Sequence, residues 1–329
     1  MMSPSRRAMA ESFKTLASYW VKPAYSLRWN CIFALPPWLE IWWNEFGATG
    51  HLYLFVARQG RTVVGIAPLF LKDMEAFFIG SDDLCDCLDF IIAPGRERDF
   101  FNSLLDDLSG KGIGLLKLRG LRSNSTVLTH LVGMARERGY EVSCAVEDVS
   151  VELDLPPTWE EYLGMLSQKQ RHEVRRKLRR IREAGEVNYR TVEDSGDVPN
   201  AMDILLNLFR QSNGDKATFM NARRESFFRS LAQAMAQVRL LRLGILELDS
   251  WPIAAVMCFD YGNKVYLYNS GYDPQYTSLS AGLISKILSI KDAIERGRRT
   301  FDFLKGGEDY KYRLGGREVH LYDCQIALK

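Results

Sequence analysis

Residues 266–316 read YLYNSGYDPQYTSLSAGLISKILSIKDAIERGRRTFDFLKGGEDYKYRLGG, and the order of elements in this stretch decides the fold. Val265 to Asn269 alternates aromatic and aliphatic residues, which favours a strand. Tyr272-Asp273-Pro274 is turn chemistry, because proline presets φ and aspartate bonds the following backbone. The apolar positions Leu283, Ile284, Ile287, Leu288, Ile290 and Ile294 then fall at helical spacing. Ser278 or Ser280 is expected at the N-cap, with Gly282 in the first turn. A helix start offers unpaired N–H groups and the positive end of the dipole, and small residues let a pyrophosphate approach them. Glu295-Arg296-Gly297 closes the helix, with glycine as C-cap. Arg298 to Leu304 is a second strand, Phe301 and Phe303 on one face and Asp302 on the other. Lys305-Gly306-Gly307 breaks it, and Glu308, Asp309, Tyr310 and Lys311 follow within one turn.

Upstream, the two halves of the chain echo each other in order of elements. Strands are expected over 52–57, 63–70 and 76–80, then a helix over 98–108 and strands over 115–118 and 140–146. The second half repeats this with strands at 240–248, 253–259 and 265–269, the helix after Gly282, and strands at 300–304 and 318–327. A length of 329 residues fits two domains of about 150. Pro156-Pro157 marks the linker, so the expected domains are 13–155 and 156–329, with a disordered 1–12.

Net charge is only +2, which argues against a protein that is polyanion-binding as a whole. The excess is local. Residues 169–182 hold eight Lys/Arg against one Glu, on a helical insertion expected to run from Trp159 to residue 184. Its stripe Leu163, Leu166, Val174, Leu178 and Ile181 packs inward, and the run Arg171, Arg175, Arg176, Lys177, Arg179, Arg180 and Arg182 is a candidate anion site, since guanidinium pairs with phosphate bidentately. Without interleaved aromatics, base stacking has no support there. Six cysteines are scattered and the four histidines lie far apart, so neither a metal nor a disulfide framework is expected, and the thiols are taken as reduced. No signal peptide and no apolar run near the ~20 residues of a membrane span is visible, which sets the expectation of a cytoplasmic protein with no transmembrane segment.

The residues 266–273, Leu279-Ser280-Ala281-Gly282 and Phe301-Asp302-Phe303-Leu304-Lys305-Gly306-Gly307-Glu308-Asp309-Tyr310-Lys311 resemble the GNAT-superfamily acyltransferases. The wording is closest to the CelD-like or BioF-like branch, itself similar to the FemAB transferases. The resemblance continues in Gln168 to Lys177, in 212–220 and in Val64 to Leu69. It departs from the superfamily in its phosphate turn, where only Gly282 and flanking serines remain.

The resemblance implies an α/β (α+β) protein of two tandem GNAT-like domains, each a mixed, mostly antiparallel sheet flanked by helices, the first a degenerate copy. It implies an N-acyltransferase using acyl-CoA or an acyl carrier protein as cosubstrate, without a metal, and a small or sugar-linked amine as acceptor. A thioester is already activated, so such an enzyme aligns the amine, moves a proton and stabilises an oxyanion. Asp302 and Glu308 are the candidate bases, Tyr310 the acid and Lys311 a charge-binding group. Tyr268, Asn269, Ser278, Ser280 and Gly282 are expected at the carrier, and Arg171, Arg175, Arg176, Lys216 and Tyr272 at the acceptor. Two alternatives stay open: a FemAB-like aminoacyl or peptidyl transferase using aminoacyl-tRNA, and a non-catalytic binding protein in surface polysaccharide production.

Overall fold

The computed structural model describes residues 11–22, 26–80, 83–212 and 219–328. Its strands are β1 (His51–Gln59), β2 (Thr62–Lys72), β3 (Glu75–Phe78), β4 (Ile91–Ile92), β5 (Leu115–Arg122), β6 (Glu141–Asp154), β7 (Val187–Val192), β8 (Leu241–Leu248), β9 (Trp251–Tyr261), β10 (Lys264–Tyr272), β11 (Thr300–Lys305) and β12 (Arg317–Ala327). The chain divides into two compact units, residues 1–148 with 320–329, and Val149–Val319.

In the first unit β1, β2 and β3 pair antiparallel, and β3 then pairs parallel with β5. The helix Glu97–Gly110 makes the crossover, burying Phe100, Phe101, Leu104, Leu105 and Leu108 along one face. Gly65 allows this packing, since a Cβ there would lie 2.3 Å from the Phe100 ring. In the second unit β7, β8, β9 and β10 pair antiparallel, and β10 pairs parallel with β11 across the helix Ala281–Glu295. Both units are thus mixed α/β, with mostly antiparallel sheets flanked by helices.

Three expectations are corrected. The domain boundary is not at Pro156-Pro157, because β6 runs unbroken to Asp154 and its end pairs with β11 in the second unit. The C-terminal strand goes the other way, β12 pairing with β5 in the first unit. Strand pairing, not chain order, therefore sets the units. Second, the helix opening at Trp159 is two helices, Trp159–Met165 and Gln168–Ala184. Leu166 is extended, and Ser167 starts the second helix with a capping box to Gln170. Third, Cys144 and Cys324 are joined by a disulfide, because β6 and β12 bring their Cα atoms to 4.2 Å. At the N-terminus residues 1–10 lie outside the described residues, but Glu11 and Ser12 are held. Ser12 caps the helix Phe13–Val21, and Glu11 pairs with Arg58 at 2.7 Å.

The core beneath the second unit's sheet contains Val151, Tyr162, Val174, Val265, Ile287, Ile290, Phe301 and Phe303. Val174 and Ile181 are the buried positions of the basic helix, which therefore packs against this unit through its apolar stripe.

Candidate active site

The parallel ladder between β10 and β11 covers Lys264↔Thr300, Val265↔Phe301 and Tyr266↔Asp302, and stops there. On its other side β10 stays paired with β9, with a bulge between Leu267 and Asn269 that inserts Tyr268 as the extra residue. The two parallel strands therefore part at their carboxyl ends. That is where open α/β sheets bind ligands, and here the connecting helix begins beside the gap.

Sequence chemistry shapes this helix start. Asp273 accepts from the Gln275 N–H at 2.9 Å and begins a 3-10 turn, Pro274–Leu279. Ser280 adopts left-handed backbone (φ 61°) and turns the chain into the helix. Its hydroxyl makes no cap bond; it accepts instead from Lys177 Nζ on the basic helix at 2.7 Å. Gly282 sits under the ring of Tyr272, and a Cβ there would fall 2.9 Å from that ring. Tyr272 is itself fixed by Ser212, whose hydroxyl accepts from the Tyr272 N–H at 2.8 Å and donates to its carbonyl at 3.0 Å. Gly271 admits the helix Val198–Gln211, since a Cβ would lie 2.3 Å from the Phe209 nitrogen.

Lys286, one turn on, donates to the Gly282 carbonyl at 2.9 Å and stands 5.2 Å from the centre of the Tyr310 ring. Tyr310 is partly buried, edge-on to Phe303 at 6.2 Å. No hydrogen bond to its hydroxyl occurs among the described residues. Burial first, then the charges of Glu308 and Cys258, push its phenol well above the usual 10.0, so it stays protonated. Sequence reasoning missed Lys286 and placed Lys177 only within the basic run, not at this helix start. Lys177 sits in a run of like charges, and the only signal for Lys286 is its place four residues after Gly282.

Several expected site residues have other tasks. Asp302 is fully buried. Its carboxylate accepts from Ser150 Oγ at 3.2 Å and from the Leu304 N–H at 2.9 Å, and lies 3.7 Å from Lys264 Nζ. It stabilises the bulge at Leu304, where φ is 62°, and has no path to substrate as a base. Lys311 is 2% exposed, and its ammonium donates to the carbonyls of Leu304, Lys305 and Gly306 at 3.0, 2.7 and 2.8 Å. Those bonds use its three protons, so it staples the end of β11 and binds no ligand charge. Glu308 is exposed and pairs through Oε2 with Lys311 at 2.8 Å, leaving Oε1 without a partner among the described residues.

Tyr268 packs its ring between Phe228 and Phe259 at 5.6 and 5.4 Å, and Asn269 Oδ1 accepts from the Ser270 N–H at 2.8 Å. Ser278 is exposed on the 3-10 turn. On the basic helix Arg175 pairs with Glu160 and Arg176 pairs bidentately with Glu173, both on the surface. Arg171 is half-buried and has no ion pair among the described residues. Lys216 lies outside the described residues. The structure therefore gathers Tyr272, Ser280, Gly282 and Tyr310 through Lys177 and Lys286, and sets Asp302, Lys311, Arg175 and Arg176 apart. Among the described residues no cluster of His, Cys, Asp or Glu could hold a metal ion, and no helix is long and apolar enough to cross a membrane.

Comparison with known proteins agrees with this architecture. The Acetyltransf_6 family, an acetyltransferase (GNAT) domain, matches residues 168–312. No curated protein matches the sequence. Among solved structures the chain is similar to FemX, with a TM-score of 0.64 at 11% identity over 96% of each chain. It is similar to a conserved protein of unknown function from Bacteroides thetaiotaomicron, with a TM-score of 0.64 at 11% identity over 98% of this chain and 99% of that one. It is also similar to the C-terminal domain of a putative lysylphosphatidylglycerol synthetase from Agrobacterium fabrum, with a TM-score of 0.57 at 11% identity over 85% of each chain. Residues 168–312 match the acetyltransferase (GNAT) domain, and the fold of the chain as a whole is GNAT-type and similar to that of FemX.

Proposed function

We propose that the protein is an N-acyltransferase that moves an acyl group from acyl-CoA or an acyl carrier protein to the amine of a small or sugar-related acceptor. The observation that carries this reading is the parting of β10 and β11 after Tyr266 and Asp302, beside a helix start kept small at Gly282. The carrier's phosphates lie against the N–H groups of Ala281 and Gly282, where the dipole favours negative charge and Lys177 adds a cation. The thioester enters the gap, with backbone donors of the Leu267–Asn269 bulge at the oxyanion.

The acceptor nitrogen attacks the thioester carbonyl, forming the C–N bond, and the C–S bond then breaks. Glu308 takes the proton of the attacking amine through its open oxygen. Tyr310, kept protonated by burial, gives its proton to the departing thiolate. The test is amine-dependent release of free thiol from acyl-CoA, followed for wild type, Tyr310→Phe and Glu308→Gln. Release that is lost in the first and cut in the second supports the roles; release unchanged in both removes them.

A second reading is supported by the basic helix. Lys169, Arg171, Arg180 and Arg182 have no ion pairs among the described residues, and Lys177 of the same helix reaches Ser280. A FemAB-like aminoacyl transfer from aminoacyl-tRNA would use that face for the polyanion. Its binding would weaken steeply with salt, unlike binding of an apolar acyl chain.

A further inference from the structure

The hairpin joining β8 to β9 presents a tryptophan that the fold does not use. Trp251 is 71% exposed, although burial of a large aromatic ring is among the larger apolar gains open to a chain. It is not a loose residue. Asp249 and Ser250 take left-handed φ of 49° and 67°, which makes a tight two-residue turn. Asp249 clamps that turn to the end of the basic helix: its N–H donates to the Glu186 carbonyl at 2.9 Å, and its Oδ1 accepts from the Glu186 N–H at 2.8 Å.

Trp251 and Pro252 line a groove of about 390 Å³ together with the polar residues Asn207, Gln211, Asp273 and Gln275. The amide side chains of Asn207, Gln211 and Gln275 make no hydrogen bonds among the described residues. Among the described residues lining the groove Asp273 is the only charged side chain, and it is negative. That chemistry disfavours phosphates and carboxylates, which would meet a carboxylate and no cation among the described residues. It suits a ring with one apolar face and equatorial hydroxyls. C–H groups of a pyranose pack on the indole, amides bond its hydroxyls, and an ammonium on the ring pairs with Asp273.

We propose that this groove is a saccharide subsite, and that its preferred occupant is a hexosamine with a free amine. Asp273 and Gln275 stand in the turn that leads into the helix start at Ser280, which links the subsite along the chain to the proposed carrier site. The inference rests on the acyl-transfer reading only in naming the acceptor; the binding itself needs no donor.

The test is calorimetric titration of the full chain, without CoA, with chitosan trimer, N-acetylchitotriose and ADP. The expected result is binding of chitosan trimer, at least tenfold weaker in Trp251→Ala and in Asn207→Ala/Gln211→Ala, partly restored in Trp251→Phe, with melting temperatures unchanged. N-acetylchitotriose should bind several-fold more weakly than chitosan trimer in wild type, and Asp273→Asn should abolish that difference. Binding indifferent to Trp251, absence of saccharide binding to folded protein, or ADP competing at the groove would each overturn the assignment. Equal affinity for the two trimers would overturn the free-amine preference. Loss of saccharide binding with CoA binding intact would leave the transferase reading standing, and the reverse would leave the subsite standing.

Discussion

Lys286 stands over the ring of Tyr310, its Nζ 5.2 Å from the ring centre, while it donates to the carbonyl of Gly282 at 2.9 Å. One side chain thus ties the helix start that would hold the carrier to the phenol that would protonate the leaving group. Replacing Lys286 by Met should loosen both ends. Turnover is expected to fall roughly tenfold to a hundredfold, in the manner of a misplaced catalytic group. Steady-state kinetics with acyl-CoA checks this, and an unchanged kcat would separate the two ends.

Tyr310→Phe removes one oxygen and no packing. It should lower kcat by about 10²–10⁴, the usual worth of a positioned acid, with KM nearly unchanged. Urea unfolding should show stability within about 0.5 kcal/mol of wild type, since the lost hydroxyl makes no hydrogen bond among the described residues.

The gap between sequence and structure is clearest at Asp302 and Lys311. The family resemblance marked them as active-site groups, and the order strand, helix, strand around them was legible from periodicity and from turn residues such as Asp273-Pro274. Their roles were not, because these depend on partners that local patterns do not show. Asp302 bonds Ser150, which sits in a strand from far upstream, and Lys311 bonds three carbonyls that present themselves only once β11 ends in its bulge. The pairing of β6 with β11 and of β12 with β5 was hidden for the same reason, since each strand pairs outside its own half of the sequence. Lys177, by contrast, was visible but indistinguishable from its basic neighbours until Ser280 was placed beside it.

Lys311→Met should therefore unfold the end of β11 rather than block binding. It strands three carbonyls, and a loss of roughly 3–5 kcal/mol is expected. A shift in the urea midpoint of that size checks it. A normally stable variant with lost substrate binding would contradict the structural role.

Buried tyrosines set the alkaline limit of stability. Burial is the leading cause that raises the phenols of Tyr53, Tyr162, Tyr189 and Tyr310 above 10.0. A folded-state pKa above the unfolded one gives stability that is complete below about 10 and is lost as pH rises through the folded values. Tyrosinate absorbance should show these four silent until the protein unfolds, and stability should fall only above pH ~10.

The disulfide Cys144–Cys324 spans a sequence separation of 180 residues. Its reduction should cost roughly 2–5 kcal/mol. Melting with and without dithiothreitol, with Cys144→Ser/Cys324→Ser as reference, reads the effect directly. A variant that melts like the oxidised protein would show the bond to be absent in solution.

Whether the helix start at Ser280–Gly282 holds the phosphates of an acyl carrier is read most directly by equilibrium binding. Free CoA, acetyl-CoA and longer acyl-CoAs are titrated into wild type and Gly282→Glu, which adds bulk under Tyr272 and a negative charge at the helix dipole. Micromolar binding to wild type is expected, weakened at least thirtyfold in Gly282→Glu while the fold is retained. Folded wild-type protein that binds no form of CoA, or a Gly282→Glu variant that binds as well as wild type, would contradict it.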